Sequence, residues 1–132
     1  AIELSYGGRK AVICTDCGHP RHDVAPPLKG AHVLVLEFNY DPELLAAGPY
    51  PPKLQKRIKS DHGHLSNEQA QELLRDLVTP DLHTLVLAHL SKKTNSPELA
   101  LAAAHATLEE LGRSDVEVLV AAQHEIGPNL EV

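Results

Sequence analysis

Four short runs of this 132-residue sequence are almost wholly apolar, and each stops at polar or turn-forming residues. KAVICT (10–15) ends at Asp16 and Gly18, and HVLVLEF (32–38) ends at Asn39-Tyr40-Asp41. HTLVLAHL (83–90) and VEVLVAA (116–122) repeat the pattern. Short, nearly continuous apolar runs bounded in this way predict four buried strands. Residues 2–5 and 131–132 are candidate edge pieces.

The intervening sequence changes period. Ser66-Asn67-Glu68-Gln69 has the form of a capping box, and Ala70, Leu73, Leu74, Leu77 and Val78 follow as one apolar stripe closed by Pro80. Ser96-Pro97-Glu98 supplies an N-cap, a proline at the first helical position and an acid at the positive end of the helix dipole. The expected stripe of that helix is Leu99, Ala102, Ala103, Ala106 and Leu111, ending at Gly112. Residues 41–61 are broken by Gly48-Pro49-Tyr50-Pro51-Pro52 before KLQKRIK offers a short helix, and they read as an ordered excursion from the sheet. Alternation of strand and helix through the second half predicts an α/β class, with helices covering one face of a parallel or mixed sheet. The length suits a single domain over 1–132.

Composition narrows the function. A formal charge of -6 argues against a broad basic surface for nucleic acid, because neutralising phosphates needs clustered Lys and Arg. It leaves open a site where bound metal does that work. KLQKRIK is the one basic cluster, either a solvated helix face or a contact for an anionic substrate. Two cysteines do not make a disulfide framework, and free thiols suit a reducing, cytoplasmic setting. No run approaches the roughly 20 apolar residues of a membrane span, and no basic-then-apolar leader opens the chain. The sequence has no Met, so the chain is expected to be a piece of something larger.

ICTDCGHPRHD (13–23) holds Cys14, Cys17, His19 and His22, all acceptable zinc ligands. Only Gly18 separates the two pairs, too little for them to approach an ion from different sides of a tetrahedron, so a strand end and polar loop are expected instead. In α/β sheets polar chemistry collects at the C-terminal ends of strands. That rule selects Asp16, Asn39, Asp41 and His89, each of which also has a bland reading as a turn cap or a satisfied core residue. SDHGHLSN (60–67) adds His64, just before the Ser66 cap, where helix amides suit a phosphate or carboxylate. His62-Gly63-His64 would face one side on a strand, but Gly63 favours a turn, which argues against a metal pair.

Taken in order, TDCGH, LEFNYDPELL, GPYPPKLQKRIKSDHGHLSN and LAHLSKKTNSPELA resemble the C-terminal half of the metallo-β-lactamase-fold hydrolases, most closely the YycJ/WalJ-like branch. The resemblance covers nearly the whole chain. It implies an αββα sandwich of two similar halves, of which this chain supplies one, and metal-dependent 5′-3′ DNA exonuclease activity. Two divalent ions (Zn, Mn or Fe) are implied, roughly 3.5 to 4 Å apart, polarising a phosphoryl oxygen and activating water. In T-D-x-G, Asp16 is similar to the carboxylate that bridges the ions, and in LAHLS, His89 is similar to the last ligand of the second. His64, with Ser66, Asn67 and Asn39, resembles the substrate side; Cys14, Cys17, His19 and His22 match no family ligand.

The main family metal motif, H-x-H-x-D-H, is absent from this sequence. The chain alone is therefore expected to bind catalytic metal weakly or not at all. The inner sheet face is expected to be covered by the missing N-terminal half or by a second copy. Two other functions stay open: a thioester or lactam hydrolase of the same fold, and a non-catalytic half-domain serving as a binding or assembly module.

Overall fold

The computed structural model describes residues 1–20 and 25–132. Its elements run β1 (Ile2–Tyr6), β2 (Arg9–Cys14), α1 (Ala25–Leu28), β3 (Val33–Glu37), α2 (Pro42–Ala47), α3 (Pro52–Ile58), α4 (Asn67–Leu77), β4 (Thr84–Ala88), α5 (Pro97–Glu110) and β5 (Glu117–Val120). The five strands form one sheet in sequential order. β1 pairs antiparallel with β2, and β2, β3, β4 and β5 are parallel, so the sheet is mixed. Stepping always in one direction with crossovers of one hand brings the connecting helices to one face.

Strand alternation divides the sheet into two different faces. Val12, Leu34, Leu85 and Val118 align across β2 to β5, as do Cys14, Leu36, Leu87 and Val120. These rows join Leu73, Leu74, Leu77, Ala100, Ala104 and Leu108 of α4 and α5 in the core. On the opposite face, Ile2, Ile13, Val35, Val86 and Leu119 form a second apolar row across all five strands. In this row Val86 is buried, Ile13, Val35 and Leu119 are half-buried, and at the β1 edge Ile2, with Leu4 and Tyr6 of the same strand, is exposed.

The two helix starts read from sequence are present. Ser66 and Gln69 make both bonds of the capping box, and Ser96 Oγ accepts from the Leu99 amide with Pro97 behind it. The α4 stripe buries Ala70, Leu73, Leu74 and Leu77, and Val78 is its C-cap. The α5 stripe is different from expectation: Ala100, Ala104, Thr107 and Leu108 are buried, while Leu99 and Leu111 are 40% and 38% exposed. Alanines lie on every side of PELALAAAHATLEE, so its period does not choose a face, and packing on α4 does. Gln71 of α4 helps, donating to Ala103 O and Thr107 Oγ1 at 2.9 and 3.0 Å.

Three further departures are local. Residues 131–132 form no strand, having no ladder partner among the described residues. The short α1, of four residues, is too brief to carry a stripe. The excursion 41–61 holds α2 as well as α3. Asp41-Pro42-Glu43 carries the same start signals as Ser96-Pro97-Glu98, and Asp41 Oδ1 accepts from the Glu43 and Leu44 amides, both at 3.0 Å. Asp41 is thus a cap. Among the described residues no helix is long and apolar enough to cross a membrane.

Asn95 and Asn67 form a buried reciprocal amide pair at 2.9 and 3.0 Å, and Asn95 also donates to Phe38 O and accepts from the Ser96 amide, both at 2.9 Å. It joins the end of β3 to the starts of α4 and α5. Asn95→Ala leaves the Asn67 amide and the Phe38 carbonyl unpaired inside the protein, where each lost partner costs about 1 to 3 kcal/mol. The expected result is a lower urea midpoint, with destabilisation of about 2 to 3 kcal/mol; a shift below about 0.5 kcal/mol would show that the pair is dispensable.

Candidate metal centre

β2, β3 and β4 run parallel and adjacent, so their C-terminal ends lie together at one edge of the sheet. Asp16 follows β2, Glu37 closes β3 and His89 follows β4. Asp16 and His89 have φ of 57° and 61°, the two non-glycine residues with positive φ among those described. Left-handed backbone in such residues costs about 1 to 2 kcal/mol and persists where surrounding contacts overdetermine it. Both strained residues belong to one cluster.

Asp16, Glu37, His64 and His89 each offer a ligand atom, and these atoms all lie within 4.8 Å of one another. Among the described residues no other group of this kind occurs. The centre of the cluster is Glu37, whose side chain is fully buried. Its Oε1 lies 2.8 Å from His64 Nδ1 and 3.0 Å from His89 Nδ1, and its Oε2 accepts from the Asp16 amide at 2.6 Å. Asp16 Oδ1 is 3.6 and 3.7 Å from the same two ring nitrogens, and the rings meet edge to face with centroids 5.0 Å apart.

A carboxylate accepts and does not donate, so Glu37 selects the Nδ1–H form of both neutral imidazoles. Each Nε2 lone pair is then left for an ion, and an outer carboxylate bound to the far nitrogen is the usual orienting device for metal-ligating histidine. With Glu37 in that outer role, the Asp16 carboxylate and two imidazoles are left as donors, a set that suits Zn, Mn or Fe. The donor set fits a divalent metal.

Two glycines allow the loops to meet. A Cβ on Gly18 would stand 2.0 Å from Asp61 O, and one on Gly63 would stand 2.0 Å from Ile58 O. The loop carrying Asp16 is therefore pressed onto the backbone of the turn that delivers His64. Asn39 ties the remaining parts: its amide bonds Leu65 O at 3.0 Å, its carbonyl accepts from Ser91 N at 2.8 Å, and Nδ2 donates to His89 O at 2.6 Å. Asn39, Tyr50, His64, His89, Lys92 and Lys93 line an open crevice of about 420 Å³ beside the cluster.

The other candidates are placed as follows. Ser66 and Asn67 are buried, Ser66 in its capping box and Asn67 against Asn95. His62 is exposed and outside the cluster, so His62-Gly63-His64 contributes one member. Cys14 and Cys17 approach to 3.1 Å between sulfur atoms, while His19 Nδ1 lies 3.7 Å from Asp61 Oδ1 without a hydrogen bond. These three form no metal-ligand group, and His22 lies outside the described residues. Their shared hydrogen bond, then burial, raises the Cys14 pKa, and the same bond draws Cys17 down.

Glu37 is the member that sequence reasoning missed. Its signal was a lone acid inside the apolar run HVLVLEF, in a strand whose next polar residues, Asn39 and Asp41, drew the attention.

Exodeoxyribonuclease YycJ of Bacillus anthracis is 39% identical to this chain over 104 residues, 79% of this chain and 39% of that protein. Exodeoxyribonuclease WalJ of Streptococcus pneumoniae serotype 2 is 36% identical over 108 residues, 81% and 39% of the two chains. The metallo-β-lactamase fold protein YhfI from Bacillus subtilis superposes with a TM-score of 0.60 over 90% of this chain and 39% of that one, at 16% identity. No family model matches. The chain is a YycJ/WalJ-like part of a metallo-β-lactamase fold. This YycJ/WalJ-like chain spans 39% of the length of each curated relative it matches. Its mixed five-stranded sheet agrees with the fold expected from sequence.

Proposed function

We propose that this YycJ/WalJ-like chain is the C-terminal half of a metal-dependent phosphodiesterase acting on DNA, completed by an upstream half that brings H-x-H-x-D-H. The observation that carries this reading is the convergence of Asp16, Glu37, His64 and His89 at the ends of three parallel strands and one turn. The names of the relatives, both exodeoxyribonucleases, support the substrate class. Free thiols at Cys14 and Cys17 suit a cytoplasmic setting.

Asp16 would be the carboxylate shared between ions, because its side chain is 65% exposed and has two oxygens to offer. His89 would hold one ion, with Nε2 as the nitrogen that Glu37 leaves free. Divalent ions at such a site polarise a phosphoryl oxygen and lower the pKa of a water. Glu37 keeps the Nδ1 protons in place. His64, lining the crevice, faces the substrate side, where its Nε2 lone pair can accept a proton when no ion takes it. Lys92 and Lys93, with the basic α3 beside the crevice, attract the phosphate backbone, which lets a chain of net charge -6 engage DNA locally. Asn39, Ser66 and Asn67 act on substrate indirectly, by fixing the loops that carry His64 and His89.

The upstream half, by this reading, also supplies a second sheet over the half-covered row of Ile13, Val35 and Leu119 and the exposed Ile2, whose remaining apolar surface in water costs about 25 cal/mol per Å². A second reading, a non-catalytic module that uses this partly covered face for assembly, draws on the same row. End-labelled DNA separates the two when incubated with the chain, with the upstream half and with both, before and after chelation. Degradation by the pair alone, abolished by chelator and restored by Mn or Zn, is the expected result. Strong metal-dependent degradation by the 132-residue chain would overturn the incomplete-site reading. An intact DNA product with both halves assembled and metal bound would favour the assembly module or a thioester or lactam substrate.

A further inference from the structure

Cys14 and Cys17 are unused by the metal cluster, yet their sulfur atoms lie 3.1 Å apart. A disulfide needs a separation of about 2.05 Å, so closing the bond takes a movement of about 1 Å. The two partners are unequal in a way that suits exchange. Cys14 is fully buried at the end of β2, held in register opposite Leu36, and belongs to the core. Cys17 is in the following loop, half-buried, with its thiol directed to Thr15 O at 3.6 Å. Cys17 is thus the more accessible of the two, with Cys14 behind it in the core.

We propose that Cys14 and Cys17 form a redox-active dithiol, a site of reversible disulfide formation with low-molecular-weight disulfides, whose closed ring encloses Asp16. Cys17 sulfur attacks one sulfur of oxidised glutathione, forming a mixed disulfide and releasing one glutathione thiol. Cys14 sulfur then attacks Cys17 sulfur, breaking the mixed disulfide and releasing the second. The protein loses two electrons and two protons, and both are recovered in the two glutathione molecules. The ring spans Thr15 and Asp16, so oxidation cross-links the chain on either side of a residue whose amide is bonded to Glu37. Reduced glutathione reverses the sequence.

Bond formation needs no metal and no nuclease substrate, so its test is independent of the proposed function. The protein, reduced and freed of metal with chelator, is equilibrated at a series of reduced-to-oxidised glutathione ratios. It is then quenched with acid, alkylated and read by peptide mass spectrometry. The expected product is a peptide two hydrogens lighter joining Cys14 to Cys17, its fraction following the ratio in both directions. Cys14→Ala is expected to trap Cys17 as the glutathione adduct, and Cys17→Ala to leave Cys14 unmodified. Full alkylation of both thiols at every ratio would overturn the proposal. So would a stable glutathione adduct on Cys17 in the unsubstituted protein, or a disulfide that forms only in denaturant.

Discussion

Glu37→Gln is expected to lower divalent-metal affinity, or the activity of the assembled enzyme, by about 10- to 100-fold, the range found when an outer carboxylate on a metal-ligating histidine is removed. The shape of the residue is retained and the chemistry is not. One oxygen of Glu37 serves both imidazoles while the other serves the Asp16 amide. Glutamine has one acceptor. If its oxygen faces the rings, its NH₂ opposes the Asp16 amide, donor against donor. If it is flipped, the NH₂ faces both Nδ1 atoms and forces the Nε2–H forms, which removes the lone pairs intended for an ion. Titration calorimetry with Zn or Mn on the assembled protein reads the effect, with circular dichroism to confirm folding. Unchanged affinity would show that Glu37 neither orients the histidines nor contributes to the site.

Gly18→Ala is expected to destabilise the protein by about 3 kcal/mol or more. Two penalties combine at this position. Its φ of +67° disfavours any residue with a Cβ, and the added atom would meet the Asp61 carbonyl at 2.0 Å. The atoms it would meet, in Asp61 and His62, are all backbone, so no side chain can rotate away. Gly112 is the internal control: its φ is +68°, and a Cβ there meets nothing within 4 Å. Gly112→Ala is expected to cost only the conformational term, about 1 kcal/mol. Urea midpoints for the two variants give the comparison. Equal losses would mean that the loop–turn contact yields easily and does not hold Asp16 beside His64.

The site was legible in part. Asp16 and His89 could be named because a polar residue at the end of a buried strand needs a reason, and the resemblance supplied one. Glu37 was not named by the same rule, because the run HVLVLEF continues to Phe38 and hides the end of β3 at Glu37, and only parallel pairing with β2 and β4 brings it to both neighbours. For His64 the local signals, a glycine and a capping box, located the turn but not what it touches. Ser66 and Asn67 read as polar groups at a helix start, and burial assigned their hydrogen-bonding capacity to the helix itself and to Asn95.

What the sequence determined by itself is therefore local: four apolar runs as strands, two capped helices, the α/β class and the family resemblance. These follow from short-range chemistry, the side-chain period, the proline and N-cap signals and the polar strand ends. The tertiary structure alone decided which face of the alanine-rich α5 is buried, since no period in its sequence prefers one. It also decided that one apolar row of the sheet is covered only in part, and that a carboxylate 21 residues from Asp16 and 52 from His89 bonds to both. Those facts depend on strand order and register, which arise from packing between segments distant in the chain.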